Sequence, residues 1–451
     1  NIIFNLNGNK IETGATTTFI NNGTLKLYSE DGTGSIIGTS TTVIENKKEL
    51  TLEGVILQGM ENVLKNDETG HVTIKSGTMT TSNSTSKTIY NEGQIDIEDI
   101  LLNVTQTVSA RKYGIYSTGT LNINNGKINL VNRNEGQVEG IRIEGQGVMT
   151  YKNMIITSSQ QNTYSGSLGI VNNGTGTIEI ESGEVEGSGH YNTVGCVFNY
   201  STGTIKISGG KFTAKRYDSV DYEKGAINNT NAGTIEMTGG EVYGKVYNEG
   251  EGTIKISGTT KVKGSYGVHN SGKGTIEIAG GEITGTDVGA YNRNVGTLII
   301  TDGTITGVNH GVYNNSTGNV IIGEKGEPVS KEKPAITGTN TTSYGIYNNN
   351  ASGNIYFYDG ILKGKTNSKH ADIVEWEPEY DIITERDEEY EITYLAQLPL
   401  VQVGSNENNT YRTIKAGIEA CEDNTETEMK LLRNLSIGKA EEAIEIPESK
   451  N

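Results

Sequence analysis

Gly252-Thr253-Ile254-Lys255-Ile256 and, 22 residues further on, Gly274-Thr275-Ile276-Glu277-Ile278 are two copies of one phrase: glycine, threonine, apolar, any residue, apolar. Other clean copies start at Gly176, Gly203, Gly233 and Gly296. Weaker ones start at Gly23, Gly93, Gly119, Gly318 and Gly353, with more near Glu49, Gly70 and Gly147. Apolar residues at every second position mark a strand with one buried face. From Thr177 onward the threonines are separated by 27, 30, 19, 22 and 22 residues, Asn319 follows after 22, and Asn354 after 35. A constant strand phrase at variable spacing, with a floor near 20, is the mark of stacked coils whose strands are fixed and whose loops vary.

Two further pieces accompany each copy. Upstream runs glycine, apolar, aromatic, asparagine, as in Gly311-Val312-Tyr313-Asn314 and Gly345-Ile346-Tyr347-Asn348. Downstream runs a turn and a third alternating strand, as in Gly240-Glu241-Val242-Tyr243-Gly244. Three short strands separated by turn glycines make one turn of a three-sided coil; the glycines are expected where corners demand φ values that other residues resist. An asparagine recurs at one corner, at positions 91, 172, 199, 228, 248, 270, 292, 314 and 348. In stacked coils such residues lie about 4.8 Å apart and bond side chain to side chain. The outward residue of the Gly-Thr strand alternates in sign over five copies, Glu179, Lys206, Glu236, Lys255 and Glu277, as favourable cross-strand pairing requires. No proline precedes Pro328, which suits ladders that use every backbone N–H. The expected fold is therefore an all-β solenoid, a right-handed parallel β-helix with three strands per rung and about fourteen rungs, over residues 1–364. The irregular spacing disfavours the left-handed hexapeptide form, and crossover handedness points the same way.

Composition narrows the function. Of 451 residues, 60 are glycine, 33% are hydrophobic and 6% aromatic, with a formal net charge of -18. This excess of carboxylates argues against nucleic acid and against anionic lipid as partners. No run of about 20 apolar residues is present to insert in a membrane. Cys196 and Cys421 define no disulfide framework, and neither sits in a His-centred nucleophile motif. The chain opens inside a strand-like segment, Ile2-Ile3-Phe4-Asn5-Leu6, and so reads as a fragment, in which missing targeting signals say nothing about location.

Past Gly364 the character changes. Asp372 to Glu391 holds ten acidic residues, one arginine (Arg386) and the single tryptophan, Trp376. Residues 365–395 read as an acidic linker or side strand shielding the open end of the rod; no metal-ligand spacing supports a calcium site there. Residues 396–451 read as a small mixed α/β segment: a helix over Thr413–Cys421, a strand at Met429-Lys430-Leu431-Leu432, and another at Ile444-Glu445-Ile446 before Pro447. The run from Tyr411 to Leu432, opening Tyr411-Arg412-Thr413-Ile414-Lys415-Ala416-Gly417-Ile418-Glu419-Ala420, resembles the "Y-x-T-h-x-x-A-I-x-A" entry segment, followed by "h-x-L-L-x-N" (h, hydrophobic), of adhesin-like bacterial cell-surface proteins built from tandem modules with pectin-lyase-like β-helix repeats. It departs at Gly417, where that pattern has alanine. The resemblance implies that residues 396–451 are the opening helix and strands of the next tandem module, and that the chain is an extracellular, bacterial cell-surface, monomeric module in a tandem array. It is specific for architecture and weak for activity.

The same resemblance brings pectate lyases and polygalacturonases into view, whose sites cluster aspartates on adjacent rungs beside a basic residue. Acid–base cleavage of a polysaccharide needs two carboxylates at set separation, or a metal and a base. No paired aspartate motif occurs on neighbouring rungs, and Arg111, Arg133, Arg142, Arg216 and Arg293 fall at unrelated repeat positions. His71, His190, His269, His310 and His370 show no metal-binding spacing. No catalytic residue, metal ligand or cofactor is assigned, and calcium finds no support.

One feature points to binding. The residue before the corner asparagine is aromatic in many rungs: Tyr90, Phe198, Tyr247, His269, Tyr291, Tyr313 and Tyr347, with Tyr116 in the same place. A second ring often precedes the glycine: Tyr113, Tyr266, His310 and Tyr344. The rings are expected to point outward and form a ladder along one edge. Tyr247, Tyr266, His269, Tyr291, Tyr313, Tyr344 and Tyr347 are the candidate ligand-binding residues. Such rings stack on sugar faces while phenol hydroxyls bond sugar hydroxyls; they also stabilise a rod by stacking on one another, and both roles predict the same spacing. The functional expectation is a non-catalytic adhesin or binding module for a polysaccharide, a host glycan or a surface protein. The alternatives are a polysaccharide lyase or hydrolase and a passive stalk.

Overall fold

The fourteen copies of the Gly-Thr strand form one continuous parallel ladder. In the computed structural model, which describes residues 1–432 apart from 40–41, 82–86, 107–109, 134–135, 161–165, 190–193, 217–224, 350–351, 371, 379 and 423–424, each copy pairs in register with the next. Ile178 lies opposite Ile205, then Ile235, Ile254, Ile276 and Leu298. All six are fully buried. These inward residues belong to one apolar core running from Leu6 to Leu395, and each buried isoleucine contributes about 1.5–3 kcal/mol. Two further parallel ladders close the coil, giving a right-handed β-helix of about 13 turns between the first and last copies. Strand Ile2–Asn5 adds to the ladder at one end and Ile373–Trp376 at the other.

The outward charges fall in one file. Glu179, Lys206, Glu236, Lys255 and Glu277 are successive partners, with Lys206 Nζ 3.3 Å from Glu179 and Lys255 Nζ 3.8 Å from Glu277.

The corner asparagines also line up. Asn270 donates to Asn292 at 3.2 Å, Asn292 to Asn314 at 3.0 Å and Asn314 to Asn348 at 2.9 Å. The file begins earlier than the sequence motif indicates, with Asn21, Asn46 and Asn66 bonded at 2.7 and 2.8 Å. One position differs from expectation: Asn229, not Asn228, occupies the corner, pairing with Asn199 and Asn248. Asn228 takes the ring position instead, because a one-residue slip in the Asn-Asn pair exchanges the two faces.

The glycines of the Gly-Thr phrase serve a different purpose from the one expected. A Cβ on Gly274 would meet the Gly252 carbonyl oxygen at 2.0 Å. Close approach of stacked backbones, rather than a left-handed φ, demands glycine there. Positive φ belongs to the other corner, at Gly240 (89°), Gly281 (85°) and Gly303 (100°).

Parallel pairing continues past Gly364 through Asn367–His370 and Ile373–Trp376. The acidic stretch then forms an antiparallel hairpin, Asp381–Arg386 with Glu391–Ala396, whose second strand also pairs antiparallel with Ile361–Gly364. After it come a three-stranded antiparallel sheet, Val401–Val403, Thr410–Tyr411 and Met429–Leu431, and a helix over Ile414–Ala420 capped by the Thr413 side chain. The strand expected at Ile444–Ile446 lies outside the described residues, as does His190.

Candidate binding surface

On the third side of the coil the strands from Gly267 to Asn348 carry glycine, a buried apolar residue, a ring and the corner asparagine. Alternation turns the apolar residue into the core, as with Val268, Ala290, Val312 and Ile346, and the ring to the other side. In-register pairing places Tyr247, His269, Tyr291, Tyr313, Tyr347 and His370 in one file. A second file, three residues upstream, reads Tyr266, Val288, His310, Tyr344. The sequence motif missed His370, whose rung has Ser368 in place of glycine and lacks the asparagine. Its offset of 23 residues from Tyr347 was the available signal.

The tyrosine rings are half-buried rather than freely projecting, His269 is buried, and His370 at the end of the file is exposed. Their faces turn to one another: His269 and Tyr291 centroids are 4.6 Å apart at 20°, Tyr291 and Tyr313 5.1 Å at 28°, and Tyr347 and His370 4.2 Å at 10°. The second file braces the first, with Tyr266 5.3 Å from Tyr291 and His310 4.8 Å from Tyr347. His269 is 7% exposed, and neither of its ring nitrogens has a hydrogen-bond partner. Burial above all, then Lys245 and Arg293, depresses its pKa to about 3, so it stacks as a neutral ring. Burial likewise lowers the pKa of His310, against the pull of Asp287. Burial raises the pKa of the Tyr313 hydroxyl, which stays a neutral donor.

Where the second file has Val288 instead of a ring, a cleft of about 340 Å³ opens. It is lined by Tyr266, Val288, Tyr291, His310 and Tyr313, with Asp287, Asn309 and Thr342 beside them. A larger cleft, about 550 Å³, lies along the second side among Glu184, Glu186, Lys211, Lys215, Tyr243 and Lys263. Some of its charges are used internally: Lys215 lies 3.0 Å from Glu186 and Lys211 sits over the Tyr243 ring.

Nearer the N-terminus the ring file is interrupted. Tyr90 and Tyr116 meet edge to face at 5.7 Å, with Lys87 Nζ over both, at 3.7 and 3.8 Å. The next residues in the file are Arg142 and Val171, before Phe198. Phe198 is fully buried with Leu168 and Val171. Arg142 and Glu139, 7% and 1% exposed, occupy the two ring positions of their rung. Arg142 donates to Glu139 at 3.0 and 3.2 Å and to Glu144 at 2.6 Å, and Arg111 lies 3.5 Å from Glu139. Burial pushes the Glu139 carboxyl up, against the opposing pull of Arg142. The sequence signal for this pair was present: Glu139-Gly140-Ile141-Arg142 aligns with Tyr113-Gly114-Ile115-Tyr116.

Cys196 is buried, with its thiol pushed up to about 12 by burial, and neither it nor Cys421 is in a disulfide. Asp302 accepts from the Gly303 N–H in its turn. Among the described residues no group of three or more His, Cys, Asp or Glu side chains is placed to hold a metal ion, and no helix is long and apolar enough to cross a membrane. No family model, curated protein or solved structure matches the chain.

Proposed function

We propose that the chain is a non-catalytic binding module of an adhesin-like bacterial cell-surface protein, and that it holds carbohydrate on the aromatic side of its β-helix between Tyr247 and Tyr347. The observation that carries this reading is the double file of half-buried rings with a cleft set into it and polar side chains at the cleft's edge. Sugars are bound by such mixed surfaces, where ring faces cover C–H groups and hydroxyls, amides and carboxylates meet the sugar hydroxyls. The pectin-lyase-like kinship rests on the repeat and on the Tyr411–Leu432 segment, and an extracellular location follows from it. A glycan array compares the chain with its Tyr291→Ala/Tyr313→Ala/Tyr347→Ala variant, with circular dichroism as the check on folding. Binding by the parent and its loss in a folded variant is the expected result; identical profiles would overturn the reading.

A second reading, a passive stalk, is favoured by one observation: most ring faces are already taken up by neighbouring rings. It predicts that the same triple variant melts earlier and that the parent binds no glycan.

A further inference from the structure

Between Tyr266 and Tyr344 the upstream aromatic file lacks one ring, at Val288. The upstream file carries rings at Tyr266, His310 and Tyr344, and Val288 lies in register between Tyr266 and His310. Their backbones are two rungs apart, about 9.6 Å, and the smaller Val288 side chain, 2% exposed, stands in the place between them. The cleft of about 340 Å³ is at this place, backed by Tyr291 and Tyr313 of the inner file. Its edge is polar. Asn309 donates to Asp287 at 2.6 Å and accepts from Asn340, so the Asp287 carboxylate is held in place while the residue stays partly exposed. Nδ1 of His310 is buried without a hydrogen-bond partner. No lysine or arginine lines the cleft.

We propose that this gap is a single-ring subsite for a neutral pyranose, whose ring takes the place of the missing aromatic side chain between Tyr266 and His310. The inference rests on the carbohydrate-binding reading above and narrows it to one rung and one class of sugar. Asp287 accepts from sugar hydroxyls, the strongest hydrogen bonds available there. Without a cation in the lining, the same carboxylate repels uronic and other acidic sugars. Closed along the rod axis by rings on both sides, the subsite takes one sugar at a time, as a chain end or branch presents it.

The test uses the whole chain and ligand-observed NMR with methyl glycosides of glucose, galactose, mannose and N-acetylglucosamine, with methyl glucuronide as the acidic probe. At least one neutral glycoside is expected to bind, and glucuronide at least about tenfold more weakly. Val288→Tyr supplies the missing ring: it is expected to abolish binding without lowering the thermal midpoint. Asp287→Ala, which leaves the rings untouched, is expected to weaken binding about tenfold, the loss of one charge-assisted hydrogen bond. Binding that survives both variants overturns the subsite. If that binding is nonetheless lost in the Tyr291/Tyr313/Tyr347 triple variant, the wider aromatic surface stands and only its location at Val288 is wrong. No binding to any of the five glycosides overturns the subsite, while a glycan-array signal in the same preparation would keep the broader reading alive.

Discussion

The rung of Tyr291 and the rung of Glu139 have the same backbone and opposite contents. In the first, Val288 and Tyr291 occupy the two outer positions of the third strand; in the second, Glu139 and Arg142 do, with glycine and a buried aliphatic residue between them in both cases. Around Tyr291 the coil is regular: rungs of 22 residues, and strands such as Thr253–Asn270 and Thr275–Asn294 that run round the corners without a break. Around Glu139 the rungs lengthen and the ring file stops. The β-helix therefore does not need a ring at these positions. It needs a filler that covers the core at these positions, and stacked rings or a closed ion pair both supply one.

The largest expected effect comes from opening the ion pair. Arg142→Ala strands Glu139, 1% exposed, as a buried carboxyl with only the more distant Arg111 nearby; the expected loss is about 3–5 kcal/mol at pH 7.5 by denaturant unfolding. Its pH dependence has a definite sign. Glu139 is held above the usual carboxylate range, so the folded state keeps a proton that the unfolded state releases, and stability falls as pH rises through that window. Removing Arg142 takes away the lowering influence, so the deficit should shrink between pH 7.5 and pH 5. Glu139→Tyr/Arg142→Tyr, which rewrites the rung as a ring rung, should recover to within about 1 kcal/mol of the parent. A double variant as unstable as the single one would show that the two fillers are not interchangeable.

The next effect compares the two stretches at the corner asparagine. Asn292 donates to the Gly296 carbonyl at 2.9 Å and to Asn314 at 3.0 Å, and accepts from Asn270. Asn172, also buried, accepts from the Gly174 N–H at 3.2 Å while its Nδ2 has no hydrogen-bond partner. Asn292→Ala strands several buried groups and should cost about 2–3 kcal/mol, and Asn172→Ala about 1 kcal/mol. Equal losses measured in urea would show that the bonds along the file contribute nothing measurable.

How far the sequence discloses each stretch follows from what each filler leaves in the chain. The Gly-Thr strands were legible because alternation and the glycine both recur, and at most rungs the need for glycine is steric. The file of rings from Tyr247 to Tyr347 was legible from its spacing. The asparagines at 21, 46 and 66 were not, because Ile20, Glu45 and Lys65 precede them where rings precede the later ones. Ring orientation was also hidden: spacing sets the position of a Cα, whereas neighbouring rings decide whether a face or an edge meets solvent. The Glu139–Arg142 pair was hidden for a chemical reason: two charges take the ring positions while the glycine and isoleucine between them keep the register.

The smallest effect belongs to the charges on the outside of the Gly-Thr strand, which both stretches share. Lys206 sits between Glu179 and Glu236 in the file, with about half of its side chain exposed and its ammonium 3.3 Å from Glu179. An exposed pair of this kind contributes about 0.5 kcal/mol and is screened by salt. Lys206→Gln should therefore lower stability by no more than that, and the difference should vanish in 1 M salt. Lys206→Glu sets three carboxylates in successive rungs and should cost somewhat more at low salt, with a midpoint that recovers as salt is added. A loss of several kcal/mol, or one indifferent to salt, would mean that the sign alternation helps to set the register of the coils, a role now assigned to the buried asparagines and to the glycines that let the backbones approach.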